Sequence, residues 1–75
     1  MFCNILRTLR LQSKLTQTEL GKALHLSQRA ISHYESGQRF PDENTLNSIA
    51  DYFNVSIDYL LGRTNIKNIY LYLKK

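Results

Sequence analysis

Tryptophan is absent, and cysteine, proline and methionine occur once each among 75 residues, with glycine only three times. A lone cysteine, Cys3, excludes an intrachain disulfide framework and suits a reducing compartment; it reads as a half-buried apolar residue. No apolar run nears the roughly 18 residues of a membrane span. The first residues lack the charged-then-apolar pattern of a secretion signal, so the expected location is cytoplasmic. Patterns for chemistry are missing too: no nucleophile–base–acid set, no glycine-rich phosphate loop and no paired carboxylates. Cys3, His25 and His33 have no metal-ligand spacing. The expectation is therefore no enzyme, no metal and no cofactor.

What remains is a chain with 43% hydrophobic residues and eight aromatics, five Tyr and three Phe, enough for one modest core. The net charge of +4 is unevenly spread. Residues 1–40 carry Arg7, Arg10, Lys14, Lys22, Arg29 and Arg39 against Glu19 and Glu35. Residues 41–63 carry Asp42, Glu43, Asp51 and Asp58 against Arg63, and Lys67, Lys74 and Lys75 follow. A basic first half beside an acidic segment suits a molecule that turns one face toward a polyanion, although mixed charge also serves solubility.

Phe2, Ile5, Leu6 and Leu9 fall at helical spacing, with Arg7, Arg10 and Lys14 read as lying off that stripe. Thr16-Gln17-Thr18-Glu19 is a capping box, in which Thr16 and Glu19 satisfy each other's backbone N–H groups. The helix it starts is expected to bury Leu20, Ala23 and Leu24 and stops by His25. Ser27 caps a third helix almost at once, running from Gln28 to about Glu35 and ended by Gly37. It turns Ile31 inward and leaves Gln28, Arg29, Ser32 and His33 on the opposite face. Two short capped helices so close together form a helix-turn-helix by spacing alone. Pro41 bars the preceding residue from a helix. Asp42 or Asn44 can cap a fourth helix with Leu46, Ile49, Ala50 and Phe53 inward. Ser56 caps a short fifth with Ile57, Leu60 and Leu61, which Gly62 closes. The predicted fold is all-α: five helices in one domain, residues 1–63, with a tail over 64–75. In the tail, Ile66, Ile69, Tyr70 and Leu73 fit a helix face, while residues 69–73 equally fit a β-strand.

In order along the chain, Leu6-Arg7-x-x-Arg10, Leu15-Thr16-Gln17-x-x-Leu20, Leu26-Ser27-x-x-Ala30-Ile31-Ser32-x-Tyr34-Glu35-x-Gly37, Pro41, Thr45-Leu46, Ile49-Ala50 and Tyr52 through Gly62 resemble the Cro/C1-type (XRE) helix-turn-helix family of phage repressors and bacterial regulators. The resemblance spans residues 5–62 and implies a lambda-repressor-like DNA-binding domain regulating transcription near the nucleoid. It implies a third helix in the major groove, with Gln28, Arg29, Ser32 and His33 at base-reading positions. A glutamine can pair with adenine and an arginine with guanine, each discriminating by about 1–3 kcal/mol. Gln17 matches the family's phosphate-contacting glutamine, at a helix N-terminus that already favours anions. Arg10, Lys14, Ser27 and Arg39 are the other expected phosphate contacts, which set affinity and register. Arg7 stands evenly between a phosphate contact and an ion pair with Glu35.

Two positions depart from the family pattern. His25 occupies a turn position where glycine is common, at a torsional cost of order 1 kcal/mol. Gly21 replaces a usual alanine, and a mid-helix glycine costs roughly 0.5–1 kcal/mol. Both read as small penalties. The resemblance also implies a homodimer, most simply a repressor on a two-fold symmetric operator. Tyr59, Ile66, Ile69, Tyr70 and Leu73 are the expected dimer contacts. The alternative from another class is a protein-interaction module, such as an antitoxin-like adaptor, because a fold alone does not settle function.

Overall fold

A computed structural model of the chain describes residues 2–66. Its helices are α1 (Phe2–Gln12), α2 (Gln17–Leu24), α3 (Gln28–Ser36), α4 (Glu43–Phe53) and α5 (Ile57–Leu60), with no strand among the described residues. The expected tail contacts Ile69, Tyr70 and Leu73 lie outside the described residues.

Four of the helices begin on the side chains the sequence offers for it. Thr16 and Glu19 form both halves of the capping box, at 3.0 and 2.8 Å. Ser27 accepts from the Ala30 N–H at 3.1 Å, Asp42 from Thr45 at 2.8 Å and Ser56 from Tyr59 at 3.0 Å. Asp42, rather than Asn44, is therefore the cap of α4. Each such cap is worth about 1 kcal/mol.

All five helices also end alike, on a single residue in the left-handed region: Lys14 (φ 60°), His25 (59°), Gly37 (82°), Asn54 (56°) and Gly62 (77°). After α2 the N–H of His25 donates to the Lys22 carbonyl and that of Leu26 to the Gly21 carbonyl, at 3.3 and 2.7 Å. The same paired bonds follow α1 at Lys14 and Leu15, α4 at Asn54 and Val55, and α5 at Gly62 and Arg63. They satisfy carbonyls that a helix end otherwise leaves open. The expected left-handed strain at His25 is present, and Lys14 carries the same strain without any signal in the sequence.

Leu6, Leu20, Ile31, Ile49 and Leu60 are fully buried, one from each helix. Burying each contributes about 1.5–3 kcal/mol. Around them pack α3 on α1 and α2, α4 on α2 and α5, and α5 on α1. Phe40, in the loop after α3, stands edge-on to Phe2 with ring centroids 5.1 Å apart, and the Pro41 that follows it is buried.

Gly21 has a reason that the sequence reading misses. A Cβ placed there would lie 2.7 Å from the Leu26 carbonyl oxygen and 3.3 Å from the Ser27 backbone. Glycine at this position lets α2 close against its own following turn. What was read as a penalty is a packing requirement.

Candidate nucleic-acid interface

The expected base-reading residues all lie on α3. Gln28 and Arg29, in its first turn, are exposed; Ser32 and His33, one turn on, are half-buried. The capping Ser27 and the tight turn at His25 and Leu26 set the start of α3 beside the start of α2. This brings Gln17 and Gln28 together: the Gln28 Nε2 donates to the Gln17 Oε1 at 2.6 Å.

Gln17 donates in turn from its Nε2 to the Glu35 Oε1 at 3.2 Å, reaching the far end of α3. Glu35 is held by Arg10 of α1, whose Nε reaches Oε2 at 2.6 Å and whose Nη2 reaches Oε1 at 3.0 Å. The remaining Nη1 donates to the Leu15 carbonyl at 2.8 Å. The Arg10 and Glu35 side chains are only 10% and 4% exposed, so this two-pronged pair sits out of water. Direction propagates along the row. A carboxylate only accepts, so the Gln17 amide must turn its NH₂ toward Glu35 and its oxygen toward Gln28. Gln28 must then use an N–H inward. Its own oxygen and second N–H are left to pair with a base edge.

Arg10 accordingly leaves the expected set of phosphate contacts. It is buried and its donors are committed to Glu35 and Leu15. Arg7, weighed as a partner for Glu35, is instead exposed. The missed signal is one of periodicity. Arg10 follows Phe2 by eight residues and Leu6 by four, which puts it on the buried stripe rather than off it.

The other expected phosphate contacts have different settings. Lys14 is exposed in the turn between α1 and α2, and Arg39 is exposed in the loop after α3. Ser27 uses its hydroxyl to cap α3, leaving its place at that helix start, where backbone N–H groups favour an anion. With Arg10 and Glu35 neutralising one another, the exposed charges of residues 2–40 are Arg7, Lys14, Lys22, Arg29 and Arg39 against Glu19. The described residues contain no cluster of side chains able to hold a metal ion and no helix long and apolar enough to cross a membrane.

Residues 6–60 match the family described as Helix-turn-helix. Among curated proteins, the chain is 38% identical to the HTH-type transcriptional activator BcrR of Enterococcus faecalis, over 91% of this chain and 39% of that protein. It is 43% identical to the uncharacterized HTH-type transcriptional regulator YqaE of Bacillus subtilis (strain 168), over 89% of this chain and 59% of that one. The chain thus spans 39–59% of the length of these two relatives. Among solved structures, the P22 c2 repressor in complex with a synthetic operator superposes with a TM-score of 0.80 at 30% identity, covering 85% of this chain and 97% of that one. A transcriptional regulator from Listeria innocua gives 0.80 at 31% identity, covering 99% of this chain and 69% of the other.

Proposed function

The chain belongs to the helix-turn-helix family of transcriptional regulators, and we propose that it reads double-stranded DNA by sequence, as a homodimeric repressor on a two-fold symmetric operator. The observation that carries this reading is the hydrogen-bonded row from Arg10 to Gln28, which orients a polar side chain outward at the start of α3. A merely solvated helix face has no use for a buried ion pair behind it.

In this reading α3 enters the major groove. Gln28 pairs with adenine, Arg29 with guanine, and Ser32 and His33 contact the following bases. Gln17, Ser27, Lys14 and Arg39 hold phosphates and fix the register. Two copies place their α3 helices about one helical turn of DNA apart, with Tyr59 and Ile66 among the dimer contacts and Ile69, Tyr70 and Leu73 extending them. Repression asks nothing of the protein beyond occupying its site, which suits action at the nucleoid in the cytoplasm.

Selection from a randomised duplex pool at two salt concentrations tests the proposal. Enrichment of a symmetric site, with affinity falling steeply as salt rises, supports it. No enrichment and weak binding even at low salt overturns it in favour of a protein-interaction role. For the dimer, sedimentation of the chain with and without residues 64–75 is the check; an unchanged mass removes the tail from the interface.

A further inference from the structure

Gln28 and Ser32 can each donate or accept, so they adapt to more than one base edge. His33 is different. Its carbonyl accepts from the N–H groups of Gly37, Gln38 and Arg39 and from the Ser36 hydroxyl, which pins its backbone at the close of α3. Its ring is half-buried, and the Nδ1 nitrogen is buried with no hydrogen bond offered by any described residue.

A neutral imidazole carries one N–H and one lone pair. A buried N–H with no acceptor is among the rarest and costliest features of a protein interior, while an unfilled acceptor is better tolerated. The lone pair therefore belongs on Nδ1 and the hydrogen on Nε2, the other ring nitrogen.

We propose that His33 presents Nε2–H to the major groove as a donor of fixed polarity. It selects a base that offers an acceptor there, guanine first, and rejects cytosine on the strand it reads. Guanine shows N7 and O6 in the major groove, adenine N7 and thymine O4, whereas cytosine shows only its N4 donor. The inference rests on the DNA reading proposed above and adds one base preference to it.

Two measurements on the full chain test it. Long-range ¹H–¹⁵N correlation spectra at pH 8, where ordinary histidines are neutral, should show His33 as the Nε2–H tautomer. An Nδ1–H tautomer, or an average of the two, overturns the proposal, because the ring is then not held with Nδ1 inward. Next, the base pair whose preference shifts in His33→Ala is changed to each of the four pairs. Cytosine on the reading strand should weaken binding about tenfold, and His33→Gln, which can also accept, should cut that penalty to under about threefold. If the duplex binds but cytosine is tolerated, the fixed polarity is wrong and the DNA reading survives. If no duplex binds at all, both fall.

Discussion

The half of the molecule made of α1, α2 and α3 and the half made of α4 and α5 are built by different means. The first half shares an aliphatic core but adds a polar row of Arg10, Glu35, Gln17 and Gln28 that ties three helices together. The second half is held by Leu46, Ile49, Ala50 and Leu60, and α5 is a four-residue turn kept in place by its Ser56 cap and the Leu60 it buries. Its surface charges are mostly acidic: Asp42, Glu43, Asp51 and Asp58 are exposed, and Arg63 lies 3.5 Å from Asp58 in an exposed pair worth little. Apolar packing is non-directional and serves wherever a helix only has to be covered. Hydrogen bonds carry direction, and they are concentrated where an amide must be turned one way and not the other.

Removing one member of the ion pair should produce the largest effect of any substitution considered. Arg10→Met leaves Glu35 charged, buried and unpaired, and should cost about 3–5 kcal/mol in urea denaturation. The double variant Arg10→Met, Glu35→Leu should regain most of that stability and yet bind DNA more weakly than the parent, since Gln17 has lost its anchor. A double variant with full affinity would show that the row is scaffolding with no part in reading. Gln28→Ala should weaken binding to the selected site by about tenfold and relax preference at one base pair. Asn47→Ala, on the exposed side of α4, should stay within about twofold in the same titration. Equal losses at both positions would erase the distinction between the halves.

Gly21→Ala asks whether the turn between α2 and α3 is as tight as the backbone suggests. The added methyl meets a carbonyl oxygen rather than a flexible side chain, so a loss of about 1–3 kcal/mol is expected in thermal melts, despite alanine's better helix propensity. A rise in melting temperature would mean the turn yields freely. The smallest effect belongs to Asp42 at the cap of α4. Hydrogen bonds from the Thr45 side chain, and then from its backbone N–H, hold this carboxyl below its ordinary 3.8. A depressed folded value gives stability that is present above the unfolded value and lost as pH falls through the folded one. Melts below about pH 4 should therefore show a small acid loss in the parent chain that Asp42→Asn, which still caps, does not share.

Much of this arrangement is readable from the chain because the features concerned are local. Thr16 with Glu19, Ser27 and Ser56 announce helix starts within three residues of the groups they satisfy. His25 in its turn, and Ile31 opposite Gln28 and Arg29, follow from spacing along one helix. Arg10 stands on the buried stripe by its spacing from Leu6, but it is misread because a buried charge needs a partner, and Glu35 lies 25 residues away on another helix. Gly21 is misread because its constraint comes from the carbonyl of Leu26, whose place depends on how the turn closes. Lys14 gives no sign of its left-handed backbone, since most such positions advertise themselves with glycine or asparagine. The row from Glu35 to Gln28 escapes notice for a related reason: two glutamines eleven residues apart become neighbours only once two helix starts are set side by side.

The shared form of the five helix endings bears on speed. Each helix completes its terminal hydrogen bonds with residues one or two steps further on, and α2–α3 and α4–α5 pack as sequence neighbours. The packing of α1 on α3 and α5, and of α2 on α4, waits for more distant parts of the chain to meet. Helical domains rich in local contacts fold within about microseconds to milliseconds, and the α2–α3 and α4–α5 pairs set this chain toward that range.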